Sequence, residues 1–180
     1  MTEAQLIEGC KKGDRKSQKK LYDTYAAKMM AVCFRYTGDK EAARDMLQDG
    51  FIKVFTNLGS YAGIGSFEGW MRRVFINCCL EVLRKNDPLR ESEDLETTYH
   101  LHDVQASVLE EISAKEILGL VSELPAGFRT VFNLFAIEGY SHKEIGEMLE
   151  ITESTSRSQF TRAKQVLQKR VVELYQSTET

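Results

Sequence analysis

Two prolines and four cysteines are all that 180 residues contain. That scarcity excludes a collagen-like, proline-rich or disulfide-dense chain. Cys10, Cys33, Cys78 and Cys79 form no C-x-x-C pair, so neither a zinc ribbon nor a thioredoxin-like site is encoded. Cys78 and Cys79 fall in an apolar helical pattern and read as small buried thiols. No apolar run approaches the length that spans a bilayer. The opening MTEAQLIEGCKKGD lacks the apolar centre of a signal peptide, so a cytoplasmic location with reduced thiols is expected. The signatures of serine hydrolases, P-loop proteins and dinucleotide-binding enzymes are missing too: no G-x-S-x-G, no G-x-x-x-x-G-K and no G-x-G-x-x-G. His100 and His102 form an H-x-H pair with no cysteine or third histidine nearby, and read as solvated loop residues. Neither a metal nor a cofactor is expected.

Helical periodicity fills most of what remains. Leu21, Tyr25, Met29, Val32, Cys33 and Tyr36 recur at spacings of three and four, one apolar stripe. The stripe ends at Thr37-Gly38, and Asp39 is placed to cap the next helix. That helix gathers Ala43, Leu47, Phe51, Val54, Phe55 and Leu58 on one face. Residues 57–66, NLGSYAGIGS, form a Gly/Ser loop with one tyrosine, Tyr61. Ser66 can cap a third long helix whose Phe67, Trp70, Met71, Val74, Phe75, Cys78 and Val82 point largely inward. It stops at Asn86-Asp87-Pro88, because a proline pushes the preceding residue out of the helical region.

Charge then divides the chain. Residues 1–86 hold 15 bases and 10 acids, a net +5. Residues 87–111 hold eight acids and only Arg90 as a base, with no hydrophobic period, and read as an acidic linker. Residues 112–180 hold eight bases and nine acids. The overall charge of -3 would argue against a nucleic-acid partner, but it averages three unlike segments.

Beyond the linker the helical pattern resumes with Ile112, Ile117, Leu118 and Val121. Pro125 suits the first position of a helix carrying Phe128, Val131, Phe132 and Phe135, which Gly139 ends. Ser141 to Glu144 fits a capping box, followed by Ile145, Met148 and Leu149 at helical spacing. After Ile151-Thr152 a last helix runs to about Leu174, with Phe160, Ala163, Leu167, Val171 and Leu174 inward. A short capped helix, a tight turn and a longer basic helix describe a helix-turn-helix. From 154 to 170 there are five bases (Arg157, Arg162, Lys164, Lys169 and Arg170) and no acid. Ser154, Thr155, Ser158, Arg162, Gln165 and Lys169 turn outward, where small residues admit the backbone to a groove and cations reach bases or phosphates. An ordinary hairpin with a solvated basic face is the competing reading. Glu150 stands where a left-handed turn would favour glycine at a cost of about 1 kcal/mol, which suggests a turn of another type. The fold class is all-α: two small helical domains, residues 1–86 and 112–180, joined by the acidic linker 87–111.

The run from Leu124 to Leu167, LPAGFRTVFNLFAIEGYSHKEIGEMLEITESTSRSQFTRAKQVL, resembles the fourth domain of an RNA polymerase sigma factor of the extracytoplasmic-function group. The run from Glu41 to Lys85, EAARDMLQDGFIKVFTNLGSYAGIGSFEGWMRRVFINCCLEVLRK, resembles the second domain of that family. Both stand in family order with no third domain between them. The resemblance implies a non-enzymatic initiation factor that binds core RNA polymerase, recognises the minus-ten and minus-thirty-five promoter elements and helps open the DNA. It implies core docking through Arg44, Asp45, Gln48 and Asp49, with Gly50 a small departure from the larger residue common there that slightly weakens the helix.

The same resemblance implies minus-ten contacts from Tyr61, Trp70, Arg72, Arg73, Asn77 and Arg84. Trp70, Arg73 and Asn77 match the family's W-x-x-R-x-x-x-N pattern, and Arg73, Asn77 and Arg84 fall within about 40° on a helical wheel. The 57–66 loop stands where the family captures a flipped single-stranded base. Minus-thirty-five contacts are implied for Ser154, Thr155, Arg157, Ser158, Arg162 and Lys164. Expected partners are core polymerase, promoter DNA in double- and single-stranded form, and an anti-sigma protein as in many relatives. The chain itself is expected to be a monomer that does not enter the membrane. Two other functions compete: a helix-turn-helix regulator with an N-terminal sensor, which would show strands and a pocket, and a helical adaptor that binds no DNA.

Overall fold

The computed structural model describes residues 2–85 and 113–178, and forms two compact units, Met1–Val82 and Leu83–Thr180. The expected linker 87–111, with His100 and His102, and the expected apolar position Ile112 lie outside the described residues. Among the described residues every regular element is helical. No described helix is long and apolar enough to cross a membrane.

The first unit is built on α1 (Glu3–Lys11), α2 (Arg15–Thr37), α3 (Lys40–Asn57), a short 3-10 turn (Leu58–Ser60) and α4 (Phe67–Lys85). The starts follow local chemistry. Asp14 accepts from the Ser17 backbone and hydroxyl, which holds its carboxyl below the usual range, and Asp39 accepts from the Ala42 amide. Gly38 takes the left-handed conformation that ends α2, as the sequence suggests. Ser66 accepts from the Gly69 amide and starts α4. The element that periodicity passes over is α1, a single capped helix whose Leu6, Ile7 and Cys10 are buried. The Tyr25 hydroxyl donates to Glu3 at 2.8 Å and ties α1 to α2; burial and that carboxylate push its pKa up to about 12.

The expected α2 stripe is buried throughout, as are Ala43, Leu47, Phe51, Val54 and Leu58. Each such aliphatic or aromatic side chain contributes about 1.5–3 kcal/mol. Cys33, Cys78 and Cys79 are buried free thiols of this core. The hydrogen bond with Cys33, and then burial, push the Cys79 thiol pKa up. On α4, Phe67, Met71, Phe75 and Cys78 are inside, Trp70 and Val74 are half-buried, and Val82 is exposed, near the end of the helix.

Gly50 has a packing role beside the propensity cost that the sequence implies. A Cβ at this buried position would stand 2.1 Å from the Phe75 ring, so the missing side chain is what lets α4 close on α3.

The second unit comprises α5 (Ala114–Ser122), α6 (Ala126–Phe132) continued by a π turn (Asn133–Ile137), α7 (His142–Leu149) and α8 (Glu153–Thr178). Its core joins Val121, Leu124 and Phe128 to Ala163, Val166 and Leu167. Ile117 and Leu118 are exposed, contrary to the expected apolar face, because α5 packs through its C-terminal turn. Leu174, near the end of α8, is exposed as well. Pro125 is the residue before the first turn of α6 rather than its first member. The buried Arg129 guanidinium donates to the Ser122 and Leu124 carbonyls at 2.9 and 3.0 Å, satisfying groups that the end of α5 leaves open.

Substituting Gly50 by Ala should lower stability by about 1–3 kcal/mol despite the gain in helix propensity, because the ring must move. Urea unfolding of Gly50→Ala, alone and with Phe75→Leu, checks this: the double variant should recover part of the loss. A single variant as stable as the parent would contradict the packing.

Candidate nucleic-acid interface

Each of the three expected surfaces can be traced to the helix that presents it. On α3 the buried row leaves Arg44, Asp45, Gln48 and Asp49 exposed on the opposite side, as their spacing requires. Arg44 pairs with Glu41 at 2.6 Å, a solvent-exposed bridge of small worth. Ile52, one turn beyond Gln48, is 63% exposed and brings an apolar side chain into this polar face. Sequence reasoning missed it, although a hydrophobe four residues after Gln48 on the polar side of the wheel was the available signal.

The second surface combines the loop 57–66 with α4. Arg73, Asn77 and Arg84 are exposed, Trp70 is half-buried, and all four share one side of the helix. Arg72 is half-buried, about 100° round the helix from Arg73, and stands apart from that row. Phe67 is buried and stacks on Trp70 at 5.6 Å, while Tyr61 meets Phe67 at 5.2 Å and Trp70 at 5.5 Å. The aromatics therefore pack with one another, with Trp70 and Tyr61 half-buried. Tyr61 donates through its hydroxyl to the Gly65 carbonyl at 2.9 Å, pinning the loop. Gly63 and Gly65 both have left-handed φ, and between them Ile64 projects 86% exposed. An open cleft of about 280 Å³ lies beside the loop, lined by residues that include Ile7, Glu8, Lys11, Tyr61 and Gly63.

The third surface is the helix-turn-helix, α7 and α8. Ser141 and Glu144 form the expected capping box, which holds the Glu144 carboxyl below its usual range. Glu150 is left-handed at φ 59°, so the turn is of the glycine-favouring type after all, and the chain accepts the cost at a glutamate. The reason is the local fit of the turn to the end of α7. A Cβ at Gly146 would stand 2.9 Å from the Ile151 carbonyl, and the Ile151 amide donates to the Gly146 carbonyl at 3.0 Å. The glycine demanded by close approach is thus four residues before the turn, inside α7, where sequence alone gives it no role.

Thr152 accepts from the Thr155 amide at 3.0 Å and starts α8. Ser154, Arg157, Ser158 and Lys164 are exposed there, and Thr155 and Arg162 are half-buried. Arg157 pairs with Glu153 one turn back, an exposed bridge easily exchanged for a phosphate. The Lys164 ammonium lies 5.1 Å from the centre of the Phe160 ring, which aims it along the helix. The outer face of α8 offers small hydroxyls first and cations after, the order that suits a major groove. Among the described residues no group of three or more His, Cys, Asp or Glu side chains could hold a metal.

The fold and these surfaces define a two-part helical DNA-binding factor, one part carrying a helix-turn-helix. Sigma-70 region 2 matches residues 21–88, and Sigma-70, region 4 matches residues 114–167. The chain is 28% identical to the RNA polymerase sigma-H factor of Pseudomonas aeruginosa, over 92% of this chain and 91% of that one. It is 26% identical to the ECF RNA polymerase sigma-E factor of Haemophilus influenzae, over 95% and 96% of the two chains. It is 29% identical to the ECF RNA polymerase sigma factor SigW of Bacillus subtilis, over 93% and 96%. In fold it is similar to the sigma factor RpoE of Bartonella quintana, solved with the anti-sigma factor NepR, at a TM-score of 0.50 and 17% identity over 86% of this chain and 96% of that one. The chain belongs to the extracytoplasmic-function group of RNA polymerase sigma factors. It directs promoter-specific transcription initiation, with core RNA polymerase and promoter DNA as its partners.

Two substitutions test the helix-turn-helix geometry, and both should run against helix propensity. Glu150→Gly should stabilise the chain by about 0.5–1 kcal/mol, relieving the left-handed glutamate. Gly146→Ala should destabilise it, because the Ile151 backbone cannot retreat. Thermal melting followed by circular dichroism gives both signs, and a stabilising Gly146→Ala would contradict the close approach.

Proposed function

We propose that the three surfaces divide the work of initiation between them. The α3 face of Arg44, Asp45, Gln48 and Asp49, extended by Ile52 one turn on, docks on core polymerase. Arg73, Asn77 and Arg84 on α4, with Trp70, Tyr61 and the 57–66 loop, engage the minus-ten element, and Arg72 supports them from the side. Ser154, Thr155, Arg157, Ser158, Arg162 and Lys164 read the minus-thirty-five element from α8. Functional boundaries follow the same division: residues 1–86, an acidic connector 87–111, and residues 112–180.

The observation that carries this reading is the outer face of α8. Its hydroxyls and cations follow a left-handed turn that costs stability, in register with a short capped helix, as groove recognition requires. For the α4 surface, the asparagine can read a base edge and the arginines can clamp phosphate, while the cleft beside Tyr61 offers space for an extruded base. Extrusion costs only a few kcal/mol once the duplex is opening. All of this is binding work; the chain performs no covalent chemistry of its own, and it acts in the cytoplasm, where its polymerase acts. An anti-sigma protein, as for the Bartonella quintana relative, is a third candidate partner.

The assignments separate in one set of measurements on the full chain. Ile52→Glu should weaken the complex with core polymerase about tenfold or more, since a charge in place of an exposed apolar side chain that an interface buries is costly. Asn77→Ala should leave core binding intact and reduce promoter opening, read by permanganate reactivity of unpaired thymines. Arg157→Ala should weaken closed-complex formation and lower its salt slope by about one unit. A core affinity unaffected by Ile52→Glu removes α3 from the docking role, and an unchanged salt slope removes Arg157 from the DNA.

A further inference from the structure

One buried polar contact joins the two helices of the helix-turn-helix from within. His142 opens α7 and is 8% exposed, and Ser156, one turn into α8, is fully buried. The imidazole Nδ1 lies 2.9 Å from the Ser156 hydroxyl oxygen. The ring stacks on Phe135 of the π turn, centroids 4.2 Å apart and planes within 10°, and meets Phe160 of α8 at 5.8 Å. A single side chain of α7 therefore touches both the π turn and α8. Its hydrogen-bond partner sits in sequence between Thr155 and Arg157, with Ser158 two residues on.

We propose that His142 is a positioning residue for promoter recognition: held by Ser156 and Phe135, it fixes the rotation of α8 so that Thr155, Arg157 and Ser158 face the groove. The inference rests on the reading of α8 as the recognition helix. Successive residues of a helix are 100° apart, so a modest rotation about its axis redirects every side chain on that face. A contact to Ser156 controls this rotation at the turn where DNA is met. An apolar pair in the same place would pack without a directional bond and set the angle less narrowly.

The ring also titrates, which separates positioning from mere packing. Burial opposes its charge most, the Arg157 guanidinium opposes it further, and Glu153 alone favours it, so its pKa lies below the ordinary 6.5. The start of α7, with its positive dipole end, also disfavours a cation. On α7 itself the neighbours Lys143 and Glu144 are exposed, Glu144 being engaged by Ser141; the Phe135 and Phe160 rings carry no charge. The neutral ring therefore belongs to the packed arrangement. Because the folded pKa is lowered, that arrangement is fully favoured above pH 6.5 and loses ground as pH falls below it. Acidification otherwise makes the chain more positive and tightens DNA binding without regard to sequence.

The test uses holoenzyme reconstituted from core RNA polymerase and the full chain, with promoter fragments found by transcript mapping. Each fragment carries either its native or a scrambled upstream element. The ratio of the two affinities reads recognition, and general electrostatics cancel in it. For the parent chain this ratio should fall about threefold or more between pH 7.5 and pH 5.5, as the lowered folded-state pKa of the ring requires. His142→Phe, which keeps the ring and its stack, should give a ratio lower than the parent at pH 7.5 and insensitive to pH. Ser156→Ala, the milder change, should lower the ratio at pH 7.5 and leave a pH dependence. Helicity by circular dichroism confirms that both variants fold. A ratio that falls with pH in His142→Phe as it does in the parent overturns the proposal, as does a parental ratio at pH 7.5 in both variants. If Arg157→Ala also leaves the ratio unchanged, the failure lies in the assignment of α8 instead.

Discussion

The second unit depends on one close approach. The α7 backbone at Gly146 comes so near the turn that a Cβ there would stand 2.9 Å from the Ile151 carbonyl. With no side chain in the way, the Ile151 amide bonds back to the Gly146 carbonyl, the chain reverses through a left-handed Glu150, and α8 leaves with Thr152 as its cap. The geometry of recognition follows from that reversal. It brings Ser156 beneath His142 and turns Ser154, Arg157 and Ser158 outward. A strained glutamate is tolerated because the surrounding contacts over-determine its conformation.

The first unit solves an analogous problem between α3 and α4. Gly50 leaves space for the Phe75 ring, and the apolar row of α3 is buried, its Phe51 meeting Tyr22 of α2 and Phe75 of α4. Burying that row is also what exposes Arg44, Asp45, Gln48, Asp49 and Ile52 together. Stability and docking thus share a cause: the face that packs determines the face that is offered. In both units a glycine inside a helix, unfavourable by propensity, sets a helix against its neighbour.

Much of this was legible in the sequence because it is local. The caps at Asp39, Ser66 and Ser141, the Gly38 stop and the α2 stripe need only neighbours along the chain, and all of them form as expected. The family followed from two motif runs in order; helical spacing gave the outer face of the helix-turn-helix, and the resemblance alone pointed to the α3 and α4 surfaces. The total charge of -3 misled because an acidic segment offsets basic ones. What spacing could not supply depends on partners distant in sequence. Ile117 and Leu118 are exposed because α5 joins the core through its C-terminal turn, against α8 residues far along the chain. Glu150, by contrast, was recognised as an anomaly whose answer is local, the close fit of Gly146 and Ile151 around the turn. His142 looked like one more member of a capping box until the structure placed Ser156 and Phe135 against it.

A sigma factor has one property that neither a helix-turn-helix regulator nor an adaptor shares: it gives core polymerase a start site. The most direct test is run-off transcription on fragmented genomic DNA with purified core polymerase, with and without this chain, followed by mapping of transcript 5′ ends. The account predicts new discrete start sites only when the chain is present, preceded by two common elements at a fixed separation. Transcription unchanged by the chain, or start sites without a shared upstream pair, would contradict it.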